Sequence, residues 1–308
     1  MGETMRDSFG KYLVDIGATR SEVVVMDADV SSSTKSSYFA KAYPDRFFNL
    51  GVAEANLVDV AAGLATAGLR PVVNAFAIFL ALKSTDQIRN VLAYNSLPVV
   101  LAGAYGGLSD SFDGASHQSI EDVAIMRAIP GLQVLVPADA GEMRLALDYA
   151  LGQDGPVYIR LTRNEAPALA SRPESLAITK IRKLTSGGDV TIAATGLCVA
   201  MALQAAESLR AQGKNAEVLD VTCIKPLDAD ALAASVAKTG HLVTAEEHTV
   251  IGGLGSACAE ALSERGLPFC LKRVGVADRF TESGPYERLL AKYGISAEAI
   301  VRQAASIC

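Results

Sequence analysis

Gly51-Val52-Ala53-Glu54-Ala55-Asn56-Leu57-Val58-Asp59-Val60-Ala61-Ala62-Gly63-Leu64 decides how the rest of the chain is read. Val52, Leu57, Val60, Ala61 and Leu64 fall near helical spacing, and Gly68 stands where the helix would end. A helix so rich in Ala and Gly can approach another backbone closely. It is followed at once by Pro71-Val72-Val73, and an earlier run, Glu22-Val23-Val24-Val25-Met26, precedes it. Short apolar runs that do not alternate suit strands covered on both faces, as in a parallel sheet.

Working outward, the same alternation repeats. Leu97–Leu101, Leu132–Val136 and Val157–Leu161 read as strands, and residues 5–18, 52–67, 76–94, 119–129 and 139–152 read as helices. Between Asn164 and Gly188 the pattern lapses at Pro167, Pro173 and Gly187-Gly188. It then resumes with strands near 190–194, 216–221, 242–245 and 269–274, and helices near 199–212, 228–238, 254–265 and 296–306. The expected fold class is α/β: two sequential open, mostly parallel, doubly wound sheets with right-handed crossovers. The expected boundaries are 1–165 for the first domain, 166–187 for a linker and 188–308 for the second domain. A chain of 308 residues is long enough for both.

Composition removes several classes of function. A net charge of −6 argues against nucleic acid as the main partner. The longest uncharged apolar stretch, Pro71 to Leu82, is interrupted by Asn74 and falls short of the about 20 residues that cross a bilayer, so no membrane role is expected. Half of the residues are hydrophobic, which points to extensive buried surface including subunit contacts. Met1-Gly2-Glu3-Thr4 lacks the pattern of a secretion signal. Cys198, Cys223, Cys258, Cys270 and Cys308 show no C-x-x-C spacing, so they read as reduced packing residues of a cytoplasmic protein.

Functional groups in open α/β sheets gather where strands end at their carboxyl side. Those ends hold Asp27-Ala28-Asp29 with Ser31–Ser33, Asn74-Ala75-Phe76, Tyr105-Gly106-Gly107 and Arg163. Phe76 and Phe79 share a helix face, a spacing that core packing alone also produces. Glu54 in a first helical turn could simply complement the helix dipole. Residues 106–118 form a loop longer and more polar than a connection requires, and long polar loops tend to be functional. His117 ends it, before what reads as a capping box opened by Ser119 and Asp122.

Together these pieces resemble the transketolase family of thiamine-diphosphate enzymes over the whole chain, as its pyrimidine-binding domain followed by its C-terminal domain. The resemblance implies that Glu54 contacts N1′ of the aminopyrimidine and that Phe76 and Phe79, with Asp29, help bind the cofactor. It implies that Asp113 meets donor hydroxyls, that His117 acts at the acceptor, and that Arg163, with Arg6 and Ser33, binds the sugar phosphate. Tyr105 stands where many transketolases have a histidine, which leaves room for a different ketose or acceptor. The Gly-Asp-Gly that the family uses for diphosphate and Mg²⁺ is absent from the sequence. The resemblance therefore implies one subunit of a split transketolase, active with an N-terminal partner that holds most of the Mg²⁺ site, as a heterotetramer. Lys225-Pro226-Leu227-Asp228, Glu246-Glu247-His248 and Gly252–Ser256 resemble its C-terminal domain and read as structural; His241 receives no role. Rival readings are the β subunit of a 2-oxo acid dehydrogenase E1 component, a 1-deoxyxylulose-phosphate synthase half, and a binding module that has lost its cofactor.

Overall fold

The computed structural model describes residues 4–169 and 177–308, so Met1–Glu3 and residues 170–176 of the expected linker lie outside the described residues. The strands are β1 Val23–Asp27, β2 Phe47–Asn49, β3 Arg70–Phe76, β4 Val100–Ala104, β5 Gln133–Leu135 and β6 Val157–Arg160. They continue as β7 Arg182–Lys183, β8 Val190–Ala194, β9 Ala216–Asp220, β10 Cys223–Lys225, β11 His241–Thr249 and β12 Cys270–Val276. One sheet has seven strands in the order β10-β5-β6-β4-β3-β1-β2, the other five in the order β12-β11-β8-β9-β7. Within each, every pairing is parallel except that of one edge strand, β10 against β5 and β7 against β9. The two open, mostly parallel α/β sheets are those expected. β1, β4 and β6 are buried along their whole length, which is why their sequences do not alternate.

The two halves are interlocked more closely than two domains in sequence require. β10, which follows the second half's β9, completes the first sheet. β7 lies inside the stretch read as linker and closes the second sheet's edge. One apolar cluster runs through both halves, from Met26, Leu57 and Leu101 to Leu232, Leu242 and Leu254. Among the described residues no helix is long and apolar enough to cross a membrane.

Three local expectations need correction. The single helix read over 76–94 is broken into Ala77–Lys83, Thr85–Gln87 and a π-helical turn Ile88–Ala93. Ser84 leaves the helical region at φ −115°, ψ 9°, and the Thr85 hydroxyl bonds back to the Ala81 carbonyl, a side-chain alternative to the helical ladder. The capping box at Ser119 and Asp122 does not form. The helix there spans Asp122–Ala128 with no side-chain cap, because Asp122 is turned inward to Arg160 and Tyr158. Of the five cysteines only Cys198, Cys223 and Cys258 are packing residues, whereas Cys270 and Cys308 are exposed.

Candidate active site

Glu54 opens the helix Glu54–Thr66, whose N-cap, Ala53, offers no side-chain acceptor. Only 5 % of Glu54 is exposed, and both its carboxylate oxygens lie 3.3 Å from Lys83 Nζ. Lys83 closes the helix Ala77–Lys83, four residues after Phe79, so helical spacing brings them together. Its ammonium lies 4.1 Å from the Phe79 ring centroid. Phe76 ends β3 and its ring is 6.0 Å from Phe79. His117 sets its edge against both rings, at 6.0 Å from Phe76 and 5.1 Å from Phe79.

On its other side Phe76 stacks on Tyr105, 4.8 Å between centroids and 16° between planes. Tyr105 is held in the left-handed region, φ 62°, a conformation that costs a non-glycine residue about 1–3 kcal/mol. The hydroxyl end explains how it is held: Arg6 Nη1 donates to it at 2.5 Å, and it donates to the Ser33 carbonyl at 3.3 Å. The Arg163 guanidinium carbon lies 5.2 Å from the same ring. One unbroken run of contacts thus joins Glu54, Lys83, Phe79, Phe76, His117, Tyr105, Arg6, Ser33 and Arg163.

Arg163 in turn pairs with Asp110, 3.1 Å from Nη1 to Oδ1. Asp110 is fully buried, and its other oxygen has no donor among the described residues. Burial, and then the charge of Asp113, push its carboxyl up to about 6 against the pull of Arg163 and His117. Lys83 and Asp110 were not singled out from the sequence. Lys83 could have been, since Phe76, Phe79 and Lys83 share one helix face; Asp110 could not, because its partner lies 53 residues away. Two strand-end acids stand apart from the cluster. Asp27 is buried and accepts from Val30 N, the Thr34 hydroxyl and the Ser36 hydroxyl, so it fastens its own loop, and burial raises its carboxyl. Asp29 is exposed, at φ 66°, and is bonded to Asn49 at 2.8 Å.

The second half props the loop that carries Asp113 and His117. Glu247, on β11, accepts from the Leu108 amide at 2.6 Å and from the Tyr286 hydroxyl at 2.8 Å. Gly107, at φ 68°, leaves it room: a Cβ there would sit 2.5 Å from Glu247 Oε1. Burial pushes the Glu247 carboxyl up to about 7, with Arg160 opposing. Arg160 crosses the boundary between halves, bonding Asp122 at 2.9 Å, the Ser119 carbonyl at 2.7 Å and the Glu247 carbonyl at 2.9 Å. Burial alone would raise the Asp122 carboxyl, but the Arg160 guanidinium holds it below its usual value. Further along the loop, Gln118 Nε2 donates to the Glu282 carbonyl at 3.0 Å, and Gly284 N donates to the Ser111 carbonyl at 3.0 Å. The Gly252–Ser256 turn has a structural task. Glu246 caps the helix that follows by accepting from Leu254 N at 2.7 Å and Gly255 N at 2.9 Å, and a Cβ on Gly253 would collide with it at 2.0 Å.

Chemically, a buried carboxylate beside two half-buried aromatic rings fits a flat nitrogen heterocycle, with the carboxylate at a ring nitrogen and the phenyl faces against the ring. A second zone, some residues further along the run, holds two arginines, a tyrosine hydroxyl and an Asp/His loop, which fits a polyhydroxylated molecule with an anionic end.

Comparison with known proteins shows the family. The family description "Transketolase, pyrimidine binding domain" matches residues 2–168, and "Transketolase, C-terminal domain" matches residues 179–300. A 6-deoxy-6-sulfo-D-fructose transketolase subunit of Clostridium sp. (strain MSTE9) is 44 % identical over 97 % of this chain and 93 % of its own length. A putative transketolase C-terminal section of Methanocaldococcus jannaschii is 40 % identical over 97 % of this chain and 94 % of its own. A solved structure titled as a split gene transketolase, inactive β4 tetramer, superposes with a TM-score of 0.92 at 46 % identity, covering 99 % of this chain and 98 % of that one. The chain belongs to the transketolase family, as its pyrimidine-binding and C-terminal domains.

Proposed function

We propose that this chain is the subunit of a split transketolase that carries the pyrimidine half of a thiamine-diphosphate site. With a partner subunit holding the diphosphate and Mg²⁺, it transfers a two-carbon ketol unit from a ketose with an anionic end group, such as a ketose phosphate, to an aldose acceptor. The observation that carries the reading is the unbroken run from Glu54 through Phe79, Phe76, His117 and Tyr105 to Arg6 and Arg163. The partner is supported by relatives of nearly the same length whose names call them a subunit and a C-terminal section. The β4 tetramer described as inactive supports self-association and a need for the partner. Exposed Val52 and Leu82, each within two residues of a Glu54–Lys83 pair member, offer apolar surface for it.

In this reading Glu54, now paired with Lys83, would hold the pyrimidine by a hydrogen bond from its carboxyl group to a ring nitrogen. Phe76 and Phe79 orient the ring and keep water from its faces. Thiamine diphosphate, when bound, supplies the nucleophile and electron sink that carry the two-carbon unit. His117, fixed between the aromatic edges, handles the proton at the acceptor oxygen. Asp113 accepts from donor hydroxyls. Arg6, Arg163, Ser33 and the Tyr105 hydroxyl receive the anionic end of the sugar.

The test is Arg163→Ala in the assembled enzyme, with fructose 6-phosphate and fructose as donors. Losing a charge-assisted contact costs about 1.5–3 kcal/mol, so kcat/KM for the phosphorylated donor should fall roughly 10- to 100-fold, mostly through KM. Fructose should be nearly unaffected. An equal loss with both donors would remove the end-group role from Arg163.

A further inference from the structure

The end-group zone is less positive than its arginines suggest. Arg6 and Arg163 bring two positive charges to the Tyr105 ring. Asp7 and Lys35, beyond Arg6, lie 3.7 Å apart and offset one another. Asp110 is different: it is fully buried and, among the described residues, has a single cationic contact, at 3.1 Å on Arg163, and one oxygen that receives no donor. The charge of Asp113, further along the same loop, also acts on Asp110. A carboxylate buried in this way, partnered on one side only, acts on the field of Arg163 with little screening by water.

Resting on the reading of Arg6 and Arg163 as the end-group site, we propose that Asp110 is a specificity-determining residue: by offsetting one of the two arginine charges, it makes this zone favour a singly charged end group, such as a sulfonate, over a doubly charged one, such as a phosphate. With Asp110 ionised against Arg163, the two arginines and this carboxylate sum to a single positive charge, which a monoanion neutralises. A dianion overshoots, and its second charge meets Asp110 across Arg163. While Asp110 stays protonated the two arginine charges stand without that offset and every anion binds more tightly. The groups that face Asp110 are Asp113, Arg163 and His117. Of these, Asp113 disfavours its ionised form, while Arg163 and His117 favour it.

All residues of this zone are on the one chain, so it can be tested without turnover. The full-length chain is titrated by calorimetry with methanesulfonate, which stays a monoanion, and with methyl phosphate, which is a dianion above its second pKa of about 6. At pH 8 the wild type should prefer methanesulfonate relative to the Asp110→Asn chain: the variant's phosphate-to-sulfonate affinity ratio should rise about tenfold. Arg163→Ala should weaken both probes. A phosphate-to-sulfonate ratio unchanged by Asp110→Asn overturns the proposal. Should the variant fail to fold, the wild type alone decides. Its methanesulfonate affinity should fall as pH rises from 5.5 to 7.5 while Asp110 ionises, and a flat profile contradicts the claim. In the assembled enzyme the same variant should shift kcat/KM, taken relative to fructose, toward fructose 6-phosphate and away from 6-deoxy-6-sulfofructose. An assembled wild type that transfers no ketol unit from any of the three defeats the proposed function and leaves the anion titration to stand or fall by itself.

Discussion

Glu54 owes its position to its neighbours in the chain. A run of small residues lets its helix start beside β3, and Lys83 meets the carboxylate because it lies on the face that carries Phe76 and Phe79. If Glu54 only complemented the helix dipole, Glu54→Gln would cost at most about 1 kcal/mol of stability and leave turnover intact. If it holds N1′, the amide keeps the shape and loses the acid–base partner. Exchange of the thiamine C2 proton for deuterium in the assembled enzyme, followed by NMR, should then slow by roughly 10²- to 10⁴-fold. An unchanged exchange rate removes Glu54 from the chemistry. At this scale short spacing made some neighbours legible, as with Phe76 and Phe79, whose rings the fold brings beside Glu54's partner Lys83 and His117. Asp110 escaped because its meaning comes from Arg163 across the fold, and Asp122 was misread because a polar residue at a helix start looks the same whether it caps the helix or enters a buried ion pair.

Among the elements, the strands and helices with strong periodicity sit within a residue or two of expectation, such as the helix read over 199–212 and found at Cys198–Ala211. Short pieces were invisible. β10 and β7 are three and two residues long, and they are strands only because another strand's edge stands open beside them. β11 extends past the expected 245 to Thr249, and that extension carries Glu246 and Glu247. Its consequence is a loop supported from the second half, with a pH signature. The Glu247 carboxyl is pushed up to about 7 in the folded chain from an ordinary 4.5, so between those values the folded state holds a proton that the unfolded state has lost. The stability from this group is present below about 4.5 and is lost as pH rises through 7, by an amount on the order of 3 kcal/mol. Glu247→Gln should therefore be most costly at pH 5 and least costly at pH 8, read as denaturant midpoints of both proteins at each pH. Parallel profiles would show that the Glu247 carboxyl does not titrate in this window.

Across the whole molecule, the two halves share one apolar cluster, a strand exchanged by β10 and a buried Arg160–Asp122 pair that also reaches the Glu247 carbonyl. The C-terminal half is thus structural support for the site loop as well as for the fold. In the proposed reading, buried Glu54 and the half-buried aromatic pair hold one ring of the cofactor, and its diphosphate takes a metal and ligands from the partner. The central claim is that the site is divided between two chains. Calorimetric titration of thiamine diphosphate with Mg²⁺ into this chain, into its N-terminal partner, and into their mixture tests it most directly. The account predicts weak binding by this chain alone and tight, Mg²⁺-dependent binding by the mixture. Tight, Mg²⁺-dependent binding by this chain alone would contradict it.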